Sequence, residues 1–469
     1  MLFIGNHAKK CLSAHTEISL QNHRFRLQVI MTKKLNIALF NWAPIHGEFK
    51  QGGGVSVYLK NIADIFSRKG HSVTVLSSGF FYDLSTSDIY YRSHSSNYIN
   101  YVDIINSRVM APAFFMFHNM KLCIQDNDTT NIVRRFLREH GPFDVFHIQN
   151  IEGVPWSILA LRKEFPNTKF ILSNHNYHTI CQQVNLWYNE SDVCNNYYDG
   201  IACYTCRTHE PQLLLFLADR YLMTTTGREL LQTDMPELEK ILINLQQTGG
   251  QTLSPYKLND TAFDKASIDL FGKNKFVIRR AIAADLINAN CDVVVCVSQA
   301  VQDILSTYGI KKEKMVVNYI GTRHFSGTIN KKNRIDPEKL RLCFMGYTRK
   351  DKGFHFLADA FENMPHDLFG KISLTFAGKI EDLEAIQRIA DCQHKLADLN
   401  IINGYTHDQI PEILANVDIG LVPPLWHDAL PQVAIEFICN GVPILVSDRG
   451  GQKEIFNHND FVFASGNIM

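Results

Sequence analysis

Short apolar runs alternate with amphipathic segments along this chain, and the whole alternation occurs twice. The first series reads as strands at Asn36–Asn41, Ser72–Ser77, Asp144–Ile148, Lys169–Ser173 and Asp292–Ser298. The second reads as strands at Leu342–Met345, Ile372–Ala377, Asn400–Asn403, Ile419–Val422 and Pro443–Val446. The runs are continuous rather than alternating, as expected for parallel strands covered on both faces. Helical spacing lies between them: Val55, Leu59, Ile62 and Phe66 share a face, and Gly70 ends that helix after Arg68 and Lys69. Two such series predict two doubly wound α/β domains with a cleft between them. Right-handed crossovers place the carboxyl ends of the strands on one edge of each sheet, where ligands bind.

The predicted layout is an unstructured extension over 1–33, a first domain over 34–320 and a second over 321–469. An insertion at about 176–290 interrupts the first domain with a cysteine-rich loop, helical segments near Gln212–Tyr221 and Glu229–Gln247, and a polar stretch. The change of domain falls near Gly321–Pro337.

Composition narrows the function classes. A chain of 469 residues outgrows one ordinary core and suits two. Its 45% hydrophobic and 20% charged residues exclude disordered, collagenous and coiled-coil classes. Lys plus Arg equals Asp plus Glu at 47 each, which removes the usual electrostatic warrant for a nucleic-acid binder. No run approaches the roughly 20 apolar residues of a membrane span. Leu2–Ile4 is followed at once by polar and charged residues, unlike a signal peptide. A cytoplasmic protein is expected, whose 11 cysteines are thiols or metal ligands rather than disulfides.

Three segments carry chemistry. Gln51-Gly52-Gly53-Gly54 lies between the first strand and first helix, where backbone N–H groups face an anion or simply make a turn. A nicotinamide fingerprint does not fit, because its third glycine and the acid for a ribose are missing. The second domain's first strand ends Gly346-Tyr347-Thr348-Arg349-Lys350-Asp351-Lys352-Gly353, and cations there can neutralise a leaving diphosphate. Any one of them alone also reads as part of a solvated charge run. The most specific stretch runs from Val422 through Asp428, Leu430, Pro431, Gln432 and Val433 to Glu436, with Gly441-Val442-Pro443 and Gly450-Gly451 following. Pro431 suits a first helical turn, and Glu436 falls eight residues after Asp428, about two turns in. Amides at such a helix start can hold a diphosphate, while each carboxylate accepts from a pair of vicinal hydroxyls. A capping or salt-bridging role for Glu436 on a surface helix is the plainer alternative, but its apolar neighbours make that helix mostly buried.

These motifs resemble glycosyltransferase family four, the retaining enzymes of the GT-B fold, from about Asn36 to Asn459. The matching features are the glycine loop, the strand end at Ser298, Lys352-Gly353, the Asp428-x7-Glu436 pair, and Gly441-Val442-Pro443 leading to Gly450-Gly451. The resemblance implies that Glu436 binds ribose hydroxyls, Asp428 hydroxyls of the transferred sugar, and Lys352 with Arg349 the diphosphate. Gly53, Gly54 and the amides near Leu430, Gln432 and Val433 complete the implied donor site. His175, in Asn174-His175-Asn176-Tyr177-His178 at a strand end, matches the family histidine that contacts the transferred sugar and faces the acceptor. His147 and Asn150 end the preceding strand and are candidates for the same cleft. Two departures stand out: the first acid is usually glutamate, and the arginine usually following the strand's glycine is replaced by Tyr347, leaving the role to Arg349. The family also continues beyond the Gly-Gly segment with a helix that returns to the first domain, so a C-terminally truncated GT-B chain with reduced domain coupling is expected.

The implied reaction is sugar transfer from a nucleotide-diphosphate sugar to a glycan, lipid-linked or other hydroxyl, with no cofactor required for catalysis. A nucleotide-sugar epimerase on the same fold and a non-catalytic nucleotide-sugar-binding remnant are the alternatives. Nucleic acid is not an expected partner, and peripheral association with the inner face of a membrane is compatible with the cytoplasmic reading. Cys181, Cys194, Cys203 and Cys206 end in the Cys-x2-Cys step of structural zinc, with His209 as an alternative fourth ligand. Similar loops occur in some relatives. Unpaired thiols packing the insertion explain the cluster equally well, and both readings stay open here.

Overall fold

The computed structural model describes residues 33–47, 52–83, 86–117, 119–195, 200–206, 275–322, 338–455 and 459–467. Residues 1–32 of the extension expected over 1–33, the helical segments within 207–274, His209 and residues 323–337 of the polar stretch lie outside the described residues.

The first sheet is built from β1 (Asn36–Phe40), β2 (Ser72–Phe81), β3 (Tyr90–Ser96), β4 (Ile99–Ile105), β5 (Val145–Ile148), β6 (Lys169–Asn174), β9 (Val293–Cys296) and β10 (Met315–Val317). Between them, β7 (Trp187–Tyr188) and β8 (Asp192–Val193) form a small separate hairpin. The eight strands follow the order β10-β9-β6-β5-β1-β2-β4-β3, parallel throughout except for the β3–β4 pair. All five strands expected in this half are present. The antiparallel β3–β4 extension and β10 were not foreseen. β3 reads Tyr-Tyr-Arg-Ser-His-Ser-Ser and is half-buried at its start and exposed at its end, so it carries no apolar run to detect. Polar edge strands of this kind also discourage edge-to-edge association.

Helix α1 (Gly53–Arg68) follows β1 and buries Leu59 and Ala63. Helix α2 (Asn127–Glu139) is capped by Asp126, which accepts from Thr129 N at 2.9 Å. Helix α3 (Lys275–Asn290) corrects the expected insertion, whose last part was read as a polar stretch. Ala283, Ala284 and Ile287 join Phe170 and Val294 in the core of the first sheet, so the strand–helix pattern has resumed by Lys275. The sequence hid this because Lys275, Arg279 and Arg280 are buried in the helix rather than solvated. Helix α4 (Gln299–Thr307) starts at Ser298, whose hydroxyl accepts from Val301 N.

The second sheet holds β11 (Leu340–Met345), β12 (Ile372–Gly378), β13 (Asp398–Asn403), β14 (Ile419–Val422), β15 (Ile444–Ser447) and β16 (Val462–Phe463). Their order is β13-β12-β11-β14-β15-β16, all parallel, the 3-2-1-4-5-6 order of a dinucleotide-binding fold. Phe344 packs with Phe354 and Phe376 on one face while Cys343 and Met345 pack with Phe437 and Val446 on the other. Burial on both faces is why these strands are continuously apolar. Its helices include α5 (Phe354–Glu362), α6 (Leu383–Asp391), α7 (Gln432–Cys439) and α8 (Gln452–Ile455).

The halves touch directly. Ser298 Oγ donates to the Ala429 carbonyl at 2.6 Å, and the Glu454 carboxylate accepts from Gln299 N and Ala300 N at 2.7 Å each. Trp426, Ala429 and Leu430 belong to the same apolar cluster as Tyr177 and Val297 of the first half. Among the described residues, no helix is long and apolar enough to cross a membrane.

Candidate functional site

In the second sheet the strand order reverses between β11 and β14, which opens a crevice at their carboxyl ends. The chain leaves β11 through Gly346–Gly353 and leaves β14 through Pro423–Asp428. Gly353 has φ +78° and sits against the Pro423 carbonyl, so a Cβ there would overlap backbone. That close approach brings Lys352 to Asp428. Lys352 Nζ donates to Asp428 Oδ2 at 2.7 Å and lies 4.9 Å from the centroid of the Trp426 ring. Asp428 is buried, and its loop is held from behind by Gly451 N donating to the Asp428 carbonyl at 2.9 Å. Gly450, at φ +69°, packs against the same carbonyl, which gives the Gly-Gly motif its reason.

Glu436 is 2% exposed and its Oε1 lies 3.2 Å from His407 Nε2. Helix α7 begins at Gln432, with Pro431 as its cap residue, so Glu436 sits about one turn in rather than the expected two. Arg349 does not join Lys352 on Asp428. It pairs with Asp351, Nε to Oδ1 at 2.9 Å and Nη2 to Oδ2 at 2.5 Å. Burial alone would raise the Asp351 carboxyl, but the hydrogen bond and charge of Arg349 outweigh it and hold the group below its ordinary value.

The glycine loop and α7 meet across the cleft. A Cβ added at Gly54 would lie 2.9 Å from Gln432 Oε1. Gly52 and Gly53 carry φ +83° and +54°, and neither α1 nor α7 has a side-chain N-cap. Two uncapped helix starts therefore converge, a ready anion site. Gln432 Nε2 is buried there without a hydrogen-bond partner among the described residues. Val433 is half-buried beside it, while Leu430 packs its side chain into the first half's core, so only its backbone is available to a ligand.

From the first half, His175 follows β6 and shares Nε2 with Gln149 Oε1 at 3.0 Å, its ring 5.3 Å from Tyr58 of α1. Desolvation first, and the neighbouring His147 second, pull its pKa down to about 3. His175 is thus a neutral imidazole, and because Gln149 Oε1 only accepts, Nε2 carries the proton. His147 Nε2 meets Ser173 Oγ at 2.8 Å, and burial lowers its pKa to about 4. Asn150 instead serves the buried Glu152, donating to Oε1 at 2.9 Å beside Asn176 at 2.8 Å.

Cys181, Cys194, Cys203 and Cys206 line one cavity of about 20 Å³, together with Gln183, Trp187 and Arg280 among others. Cys206 Sγ donates to Gln183 Oε1 at 3.0 Å, and Arg280 Nη2 donates to Cys203 Sγ at 3.4 Å. Among the described residues, the group of three or more candidate ligand atoms all within 4.8 Å of one another is His46, His94 and Asp103, not the cysteines.

Sequence reasoning missed His407 and Gln149, and gave no role to Asp351 or Trp426 within the stretches it singled out. His407 and Gln149 each follow a strand's carboxyl end, so the edge rule alone would have nominated them. Asp351 stood within the noted charge run but carried no signal of which cation it would take.

The family pattern described as glycosyl transferases group 1 matches residues 326–469, and that of glycosyltransferase family 4 matches residues 52–197. A glycosyltransferase of Methanocaldococcus jannaschii is 22% identical over 180 residues, 36% of this chain and 45% of the relative. Another from the same organism is 28% identical over 199 residues, 42% of this chain and 50% of the relative. The matched part spans about half the length of these curated relatives. Among solved structures, sucrose-phosphate synthase from Thermosynechococcus elongatus superposes with TM-score 0.51 at 12% identity, covering 90% of this chain and 83% of that one. A glycosyltransferase from Rickettsia africae superposes with TM-score 0.51 at 15% identity, covering 93% and 86%. Those likenesses bear on the fold, two Rossmann-like domains of the GT-B type. With both halves matched by family patterns and the motif residues in place at the carboxyl edge, this chain belongs to glycosyltransferase family four, the group 1 glycosyl transferases.

Proposed function

We propose that the chain is a retaining glycosyltransferase that moves a sugar from a nucleotide-diphosphate sugar to an acceptor hydroxyl. The observation that carries this reading is the Lys352–Asp428 pair at the strand-order reversal, across from the uncapped helix starts at Gly53 and Gln432. A diphosphate entering there meets fixed positive ends and displaces Asp428 as the partner of Lys352. Asp428, once released, accepts from hydroxyls of the donor sugar. Glu436, with its other oxygen engaged by His407, accepts from the ribose. His175 is neutral and faces the acceptor side as a hydrogen-bonding group rather than as a cation. The departing phosphate oxygen takes the acceptor's proton on the same face of the sugar. Closure of the halves excludes water and suppresses donor hydrolysis.

The test is a thermal-shift panel of nucleoside diphosphates and nucleotide sugars, followed by radiolabel transfer with the best ligand to glycan and lipid-linked acceptors. Transfer with retained anomeric configuration supports the proposal. A donor interconverted without any acceptor favours an epimerase, and binding without turnover leaves a nucleotide-sugar-binding protein.

A further inference from the structure

The donor site does not use the cysteine cavity beyond β6, and helix α3 brings a feature that simple packing leaves unexplained. Arg279 is 1% exposed, and among the described residues it has no carboxylate partner. Its guanidinium donates to the His178 carbonyl and lies 4.4 Å from the Trp156 ring centroid. Arg280, 5% exposed, is beside it, donating to the Ile180 carbonyl and to Cys203 Sγ at 3.4 Å. Burying a guanidinium is costly unless an opposite charge lies near. Four cysteines from separate stretches of chain close on this point: Cys181 after β6, Cys194 after β8, and Cys203 and Cys206 in and after the turn Ala202–Thr205.

We propose that Cys181, Cys194, Cys203 and Cys206 hold one structural zinc ion, whose negative thiolate shell is the counter-charge for Arg279. Zinc binding releases four thiol protons to solvent and leaves a four-thiolate complex of net charge −2 beside the buried Arg279 guanidinium. The cavity of about 20 Å³ admits a single ion-sized sphere and is too small for an iron–sulfur cluster. No three of the sulfurs lie within 4.8 Å of one another, so the ion draws them in to the roughly 2.3 Å Zn–S distance by side-chain rotation. The resulting clasp ties the loop after His175 to α3. It is independent of the donor-site reading.

The full-length chain, expressed without added metal and kept reduced, is analysed for metal content. The expected result is about one zinc per chain, and stripping it with a chelator lowers the thermal midpoint by more than about 5 °C. Cys203→Ser and Cys206→Ser each reduce retained zinc at least about tenfold. His94→Ala, which removes an exposed member of the His46–His94–Asp103 group, leaves the zinc content unchanged. To keep the test independent of how the cysteine variants fold, cobalt is also exchanged into the wild-type chain, where thiolate ligation gives intense near-ultraviolet charge-transfer bands that histidine and carboxylate ligands do not. Absence of zinc both as purified and after incubation with zinc, loss of zinc on His94→Ala, bound iron with inorganic sulfide, or a cobalt spectrum without those bands each overturns the proposal.

Discussion

Glu436 and His407 illustrate how a buried carboxylate is kept available. The helix around Glu436 is apolar enough to bury it to 2% exposure, and the His407 ring nitrogen lies 3.2 Å from its Oε1. Glu436→Gln keeps the shape and removes the charge. Nucleoside-diphosphate affinity is expected to fall about 10- to 100-fold, the worth of a charge-assisted hydrogen bond, while the urea midpoint stays close to wild type. Calorimetry returning an unchanged affinity would remove Glu436 from the donor site. The histidines of the first half act through pH. His147 and His175 have folded pKa values near 4 and 3, both below the roughly 6.5 of an unfolded histidine. The unfolded chain therefore binds more protons between these limits. Their contribution to stability is complete above about pH 6.5 and is lost as pH falls toward 4, by up to about 1.4 kcal/mol per pH unit for each group. Urea melts at pH 7 and pH 5 should show the loss, and His147→Gln should shrink it. An equal loss in the variant would mean that His147 is not held neutral.

At the scale of elements, one glycine sets how closely the β11 and β14 exits approach. Gly353 and Gly370 have nearly the same backbone, φ +78° and +71°, but a Cβ at Gly370 meets nothing within 4 Å. Gly370→Ala should cost about 1–2 kcal/mol, the strain of a left-handed alanine. Gly353→Ala bears that strain, and its Cβ must also push the Pro423 carbonyl, and with it the β14 exit loop, away. A further loss of at least about 2 kcal/mol is expected, together with loss of donor binding as Lys352 moves off Asp428. Chemical denaturation of the two variants side by side gives the comparison. Equal costs would mean that the β11 and β14 exits are not locked together.

At the scale of the whole molecule, Glu454 of the second half caps a helix of the first. Its carboxylate takes two backbone N–H groups at the start of α4 and the Tyr319 hydroxyl at 3.0 Å. Burial first and this acceptor second push the Tyr319 hydroxyl up to about 12. Replacing Glu454 with alanine takes that acceptor from the Gln299 and Ala300 amides, leaving Ser298 as the cap on Val301 N, and removes a negative charge from the positive end of the α4 dipole, worth about 1–2 kcal/mol. The expected calorimetric outcome is a lower midpoint with the two halves melting further apart. A superimposable thermogram would show that the contact does not couple them.

The strand series and the acid pair were legible because each is local. Parallel strands buried on both faces must be apolar without interruption, and a loop–helix start with acids eight residues apart lies in one stretch of chain. That local record determined the fold class and nominated the carboxyl edge, with the Asp428 and Glu436 pair, as the candidate site, while the roles of Lys352 and His175 came from the family resemblance. Partnership was not legible, because it depends on which loops leave neighbouring strands. Arg349 and Lys352 look interchangeable in the sequence, yet the tight passage of Gly353 past Pro423 sends Lys352 to Asp428 and leaves Arg349 with Asp351. β3 was hidden for a related reason: a strand whose outer end faces solvent needs no apolar run, and only pairing with β4 makes it a strand. Helix α3 was hidden because burial of Arg279 and Arg280 is a property of what surrounds them, the Trp156 face and the cysteine cavity, and no charge pattern along the chain encodes it.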